Sequence, residues 1–264
     1  MTHSRHSEQE RQEIDSTEQD ASKVQSFWLP LVILVSLTVV TQLFSVSFTS
    51  DKSFADIFLP SAIALLLIST PLAALGLFLG SKIGLGAPLL TSLLMRRPGV
   101  FRQLARAMVQ AAGIGLSLGF FLWLLRLATV EFLPPELPEL GHRGAVGGLL
   151  VSISAAVGEE VWLRLGVMTI LAWVLVRVLG QHELTPRITW TAIVVSALAF
   201  AAIHLPQLAA AGAATSIGIA ATMLGNTLVG IAFGWFYWKH GIIAAITAHF
   251  ATDVVLHVIP ALLS

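Results

Sequence analysis

Long uncharged apolar stretches are the feature that most limits how this chain can fold. Three of them contain no Asp, Glu, Lys or Arg: Phe27–Thr49, Ile57–Ser81 and Ala107–Leu125. A helix needs about 20 apolar residues to cross the hydrocarbon layer of a membrane. The composition agrees, since only 11% of the residues are charged and the mean hydropathy is +0.83, whereas soluble domains average about 25% charged residues. We therefore expect an all-α fold, a multi-pass transmembrane helical bundle of seven or eight helices.

The pattern divides the chain into three parts. Residues 1–26 are polar and acidic, which predicts a disordered N-terminal tail. Residues 27–143 hold the first transmembrane helices and a basic connector, and residues 144–264 hold the remaining apolar stretches. The stretch 145–179 is longer than the hydrocarbon layer is thick, so one long tilted helix and a broken pair of helices both remain open. Within the connector, residues 85–95 are too short to cross and predict a re-entrant or interfacial helix.

The basic connector predicts the orientation in the membrane. It carries Arg96, Arg97, Arg102 and Arg106, and loops rich in Lys and Arg stay on the cytoplasmic side. Two spans precede it, so the N-terminus is expected in the cytoplasm and the loop 134–143 outside. We expect an integral protein of a bacterial-type plasma membrane, in contact with the lipid bilayer.

Charge and cysteine content exclude several functions. The formal net charge is +0, so the chain lacks the excess positive charge that binding to nucleic acid requires. The chain has no cysteine, which excludes disulfides, thiolate metal sites and a cysteine nucleophile.

The segment GEEVWLR places three charges inside an apolar stretch. One charge at the centre of a spanning helix costs about 2.5–3.5 kcal/mol on insertion scales. Glu160 and Arg164 are four residues apart and can pair on one helical face. Glu159 points about 100° away and lacks that partner. A carboxylate that lies inside an apolar stretch without a charged partner is a candidate general base.

Two further polar clusters interrupt apolar stretches. His204 ends the segment FAAIH, and His249 and Asp253 lie four apart in HFATD. Alone, His204 suits a hydrogen bond between helices as well as catalysis, and His249–Asp253 suits a satisfied polar pair. Together with Glu159, three helices bring ionisable groups to mid-span, where such groups pair or line a wet cavity. We expect a polar catalytic cavity within the membrane.

The order Glu-Glu-xxx-Arg, Phe-xxx-His, His-xxx-Asn/Asp resembles the CPBP (CAAX protease/Abi) family of intramembrane proteases, over about residues 144–259. The resemblance implies that residues 144–264 are the catalytic core. It implies that the glutamate activates water, that the first histidine assists, and that the last pair stabilises the oxyanion and orients the substrate. The residues in these roles are Glu159, His204, His249 and Asp253, with Glu160 and Arg164 as a structural ion pair. Two departures are Leu163 and Leu165 around the arginine, where Phe and Gly are common, and Asp rather than Asn at 253.

The resemblance implies an endopeptidase that cuts a membrane-bound or prenylated polypeptide with glutamate-activated water. Zinc remains open, with Glu159, His204, His249 and Asp253 as its ligands, but the chain lacks a His-Glu-xx-His segment, so we favour no cofactor. A non-catalytic membrane scaffold, or a bacteriocin self-immunity protein, is the alternative. A proton- or ion-coupled transporter is a further alternative, against which the lack of a visible inverted repeat weighs.

Overall fold

The computed structural model describes the backbone of residues 2–50 and 52–263, and side chains from residue 26 within those ranges. The described residues form eight helices and no strand, and seven of the helices are long and apolar enough to cross a membrane. The predicted all-α, multi-pass bundle is therefore confirmed, and the chain is an integral membrane protein. The predicted disordered tail, residues 1–26, lies almost entirely outside the described side chains and stays a prediction.

Short connections join the successive helices. They are α1 (Thr2–Thr49), of which Ser26–Thr49 can cross the membrane, α2 (Phe54–Gly80), the short α3 (Pro88–Leu94), α4 (Val100–Phe132, with a 3-10 end), α5 (Gly144–Val178), α6 (Pro186–Ala210), α7 (Ser216–His240) and α8 (Ile242–Leu263). The short α3 lies inside the stretch 85–95 for which a short helix was predicted. The basic connector ends earlier than predicted. Helix α4 begins at Val100, so Arg102 and Arg106 belong to this helix.

The long stretch left open by the sequence is one continuous helix with a change of winding inside it. Helix α5 is α-helical from Gly144 to Glu159, π-helical from Glu160 to Met168 and α-helical again to Val178. Helix α6 is instead interrupted, since Ile203 and His204 form a turn between Ala202 and Leu205. Pro206 follows, and it cannot supply the backbone N–H that an unbroken helix would need there.

Glycines set how closely the helices approach α8. A Cβ on Gly115 of α4 would collide with the backbone carbonyl of Ala248, and a Cβ on Gly148 of α5 would collide with that of His257. Small residues at such crossings let helix backbones approach in a membrane, where lipid removes most of the hydrophobic drive for association. Helix α8 is therefore held between α4 and α5. The outer faces of the bundle expose large apolar side chains, as a lipid-facing surface requires.

Candidate active site

Three helices bring ionisable side chains to the middle of the bundle, and each is irregular at that point. Glu159 on α5 directly precedes the π-helical segment Glu160–Met168. Asp253 on α8 directly precedes a second π-helical segment, Val254–Val258. His204 lies in the turn that interrupts α6. Single π-helical turns inside α-helices occur often at functional sites. Three of the four predicted catalytic residues, Glu159, His204 and Asp253, therefore lie at or next to the places where the helices depart from regular winding, and His249 lies one turn before Asp253.

One cavity of about 450 Å³ connects these residues. Its wall includes Glu159, His204, His249 and Asp253, so the structure brings together all four residues that the sequence singled out. Most of the remaining wall is apolar, with Phe200, Phe233 and several leucines. A few polar groups that converge within an apolar cavity are the usual composition of a binding or catalytic site.

Glu160 lies beside the cavity and is the hub of a buried network. Its Oε1 is 2.9 Å from the Arg164 Nη1, and both side chains are fully buried. The same oxygen accepts a hydrogen bond of 2.9 Å from Nδ1 of His249. Because a carboxylate oxygen only accepts, the Nδ1 of His249 carries the proton. Glu160 therefore does two jobs, since it neutralises Arg164 and fixes the orientation of the His249 ring.

Arg164 also contacts the neighbouring helices α6 and α7. Its Nη2 donates to the backbone carbonyl of Gly230 on α7 at 3.1 Å. Its guanidinium carbon lies 4.5 Å from the ring centre of Phe200 and 5.4 Å from that of Phe233. A cation over an aromatic face is attracted by the ring quadrupole, and more strongly when water is excluded. Arg164 thus ties α5 to α6 and α7.

The His249 ring stacks on Phe233, and its Nε2 faces the carboxylates of Asp253 and Glu159. It lies parallel to the Phe233 ring, with ring centres 4.6 Å apart and planes 16° apart. Its Nε2 is 3.5 Å from Oδ2 of Asp253 and 4.0 Å from Oε2 of Glu159. A polar separation of 4.0 Å is longer than a hydrogen bond and is one that a water molecule can bridge.

Glu159 and His204 are the less constrained members of the group. The Oε2 of Glu159 is buried and makes no hydrogen bond to any described residue. The Nδ1 of His204 is 2.8 Å from the backbone carbonyl of Phe200, and since a carbonyl only accepts, Nδ1 is the donor. The Nε2 of His204 is left for other partners. Glu159 therefore has an oxygen that is free to act on a bound molecule.

Sequence reasoning missed two parts of this site. It treated Glu160 and Arg164 as a self-sufficient pair, whereas Glu160 also holds His249. It also gave no role to Phe233, which stacks on His249 and lies near Arg164. Residues Glu160 and His249 are 89 positions apart, so no helical spacing could have linked them. For Phe233 the only signal is an aromatic residue in an apolar stretch, which is common in spanning helices.

The candidate zinc ligands are not arranged as a metal-binding group among the described residues. Catalytic zinc sites use three protein ligands and one open position. Across the described residues, no group of three or more His, Asp or Glu side chains is arranged so that it could hold one metal ion.

Comparison with known proteins finds a family model that is similar to the part of the chain that holds this site. No curated protein and no solved structure matches the chain. Residues 142–255 match the family model described as Type II CAAX prenyl endopeptidase Rce1-like. The matched region contains all three motifs and every residue of the cavity network described above. The resemblance seen in the sequence is thereby confirmed for residues 142–255, which are similar to the type II CAAX prenyl endopeptidases of the CPBP (CAAX protease) family.

Proposed function

We propose that this protein is an intramembrane endopeptidase that hydrolyses a peptide bond with water activated by Glu159. The observation that carries the proposal is the meeting of Glu159, His204, His249 and Asp253, from three helices, in one cavity of about 450 Å³. The match to a peptidase family supports it at the level of the reaction class. A non-catalytic scaffold would have no need to orient His249 through a buried charge network.

The first step is attack of water on the scissile carbonyl. Glu159 takes one proton from the water molecule as its oxygen bonds to the carbonyl carbon, and the carbonyl π electrons move to the carbonyl oxygen. The free Oε2 of Glu159 and the Nε2 of His249, 4.0 Å apart, are placed so that one water can contact both. A positioned general base contributes about 10²–10⁴-fold to the rate.

The second step is stabilisation and collapse of the tetrahedral intermediate. His204 and His249 donate to the oxyanion from Nε2 in the doubly protonated form of each ring, because their Nδ1 protons already go to the Phe200 carbonyl and to Glu160. The apolar wall of the cavity strengthens such contacts. As the intermediate collapses, the carbon–nitrogen bond breaks and Glu159 returns the proton to the leaving amine. Asp253, 3.5 Å from the Nε2 of His249, steadies the ring through the cycle. No step requires a metal ion.

The substrate is a membrane-bound or lipid-modified polypeptide. The cavity lies inside the bundle, and its wall is predominantly apolar. Within the described residues, the site is therefore reached most readily by a chain that is already anchored in the bilayer.

The proposal is tested by mapping new N-termini in membranes. Membranes from cells that express the wild type, Glu159→Gln or His204→Ala are compared by N-terminal labelling and mass spectrometry. Glu183→Gln, an exposed loop glutamate outside the cavity, is the matched control. We expect termini that are present with the wild type and the control and absent with both cavity variants. If all four preparations give the same termini, the peptidase proposal fails and a scaffold role replaces it.

Metal analysis of the purified, dialysed protein tests the metal-free mechanism separately. We expect less than one zinc per ten chains and no loss of cleavage after chelation. One tightly held zinc per chain, lost together with activity, would overturn this mechanism while leaving the peptidase assignment intact.

A further inference from the structure

The two ends of the bundle carry very different numbers of basic residues. Among the described side chains, twelve are Lys or Arg, and only Arg164 lies in mid-membrane. Eight lie at the end where α2 leads into α3 and where α5 leads into α6: Lys82, Arg96, Arg97, Arg102, Arg106, Arg177, Arg187 and Lys239. We call this the basic end. The opposite end has three, Lys52, Arg126 and Arg143.

Contacts between distant segments confirm that each end is a single assembled surface. At the basic end, the backbone N–H of Ile242 donates to the carbonyl of Gly86 in the connector at 3.2 Å. At the opposite end, a Cβ on Gly147 would touch the ring of Phe48, and one on Gly218 would meet Pro134. The basic residues therefore share one face of the bundle rather than being spread over both.

The cavity opens at the end opposite the basic end. Its outer wall is formed by the loop between α4 and α5, with Leu137, Glu139 and His142, and by Gln207 and Ala211 near the end of α6. Arg126 ties this loop to α4 by donating to the Leu137 carbonyl at 3.2 Å. The basic residues of the other end do not line the cavity. From Glu159 the cavity leads to this one face.

We propose that the cavity opens on the extracytoplasmic side of the membrane. Short loops rich in Lys and Arg are retained in the cytoplasm during insertion, and the bias counts Lys and Arg close to the ends of the spans. Eight Lys or Arg residues lie at the basic end and three at the opposite end. The eight are spread over four helix junctions, so the bias does not depend on any single loop. With the basic end in the cytoplasm, the loop with Leu137 and Glu139 faces outward and supplies water to Glu159 from that side.

This orientation restricts the substrate, a consequence that rests on the proposed function. The scissile bond must belong to a segment on the outer face of the membrane, in a membrane-anchored or exported polypeptide. A lipid-modified segment on the cytoplasmic face would have to reach Glu159 from the basic end, and none of the basic residues of that end lines the cavity. Cleavage therefore acts on exported chains.

The absence of cysteine allows a direct test of the orientation. Ala214→Cys and Glu136→Cys place one thiol at the cavity end, and Gln181→Cys and Ser81→Cys place one at the basic end, all at exposed positions. Intact cells are treated with a membrane-impermeant maleimide before and after permeabilisation. We expect the first two variants to be labelled in intact cells and the last two only after permeabilisation. Labelling of Gln181→Cys or Ser81→Cys in intact cells, or protection of the other two, overturns the proposal.

A second measurement separates the orientation from the peptidase activity. Termini that depend on Glu159 are assigned to outward or cytoplasmic segments of the proteins that carry them, with the Glu159→Gln strain as reference. We expect outward segments. Cytoplasmic termini overturn this inference but support the peptidase, whereas the expected labelling without any termini that depend on Glu159 overturns the peptidase and leaves the orientation standing.

Discussion

The buried pair of Glu160 and Arg164 gives a quantitative prediction for stability. Both side chains are fully buried, with 2.9 Å between Glu160 Oε1 and Arg164 Nη1. Removing one partner of a buried pair leaves an uncompensated charge and costs about 3–5 kcal/mol, whereas replacing both often costs little. Glu160→Gln and Arg164→Met should each lower the free energy of unfolding by about 3–5 kcal/mol. The double variant should lose less than either single one, so that the coupling energy is at least about 3 kcal/mol.

The measurement is unfolding in mixed micelles with increasing SDS, followed by tryptophan fluorescence, since the chain has seven tryptophans. The pair Glu183→Gln and Arg187→Met, both at exposed positions, is the matched control and should change stability by less than about 0.5 kcal/mol. If the two cavity-side losses simply add in the double variant, the pair is not a charge unit and the reasoning is refuted.

The same glutamate separates folding from chemistry. The amide oxygen of Glu160→Gln can still accept the hydrogen bond from Nδ1 of His249, whereas Glu160→Leu removes the acceptor. In the Arg164→Met background, where the charge imbalance is relieved, we expect the Gln variant to retain most cleavage and the Leu variant to lose about tenfold or more. Equal activity of the two folded variants would show that Glu160 does not position His249.

Two further predictions concern packing and buried hydrogen bonds. Gly148→Leu should destabilise the bundle by at least about 1–3 kcal/mol, because its Cβ meets the backbone of His257, whereas Gly113→Ala, with open space around it, should not; SDS unfolding compares them. Tyr237→Phe should cost about 1–3 kcal/mol in the same assay, because the Tyr237 hydroxyl lies 2.6 Å from the buried Thr169 hydroxyl, and a loss below about 0.5 kcal/mol would contradict the bond.

The sequence predicts the fold well because in a membrane the length and composition of a segment decide its structure. Every spanning segment must satisfy its own backbone hydrogen bonds, so an apolar stretch of about 20 residues has little choice but to be a helix. The stretches beginning at Phe27 and Ala107 lie within spanning helices, and the one beginning at Ile57 does so up to Gly80. The start of α4 was missed because Arg102 and Arg106 look like a polar connector, although the head groups of long basic side chains reach the interface from inside a helix.

The candidate site was predictable only where helical spacing carries the information. Four-residue spacing is enough to link Glu160 with Arg164 and His249 with Asp253. It gives no information on contacts between helices, so the bond from His249 to Glu160 was missed. Such a bond depends on how the helices cross, which is decided by packing rather than by the local pattern.

The π-helical winding after Glu159 links the local helical pattern to the contacts between helices. A π-helical segment leaves carbonyls out of the regular α-helical ladder, and in a membrane each of them must find another donor. Here the Thr169 hydroxyl donates to the Arg164 carbonyl at 3.1 Å, and Thr169 in turn is bonded to Tyr237 on α7. The irregular winding is therefore stabilised by a donor on α5 itself, Thr169, whose hydroxyl is held in turn by Tyr237 of the neighbouring helix α7. It follows that α7 supports, through Tyr237 and Thr169, the π-helical segment that begins directly after Glu159.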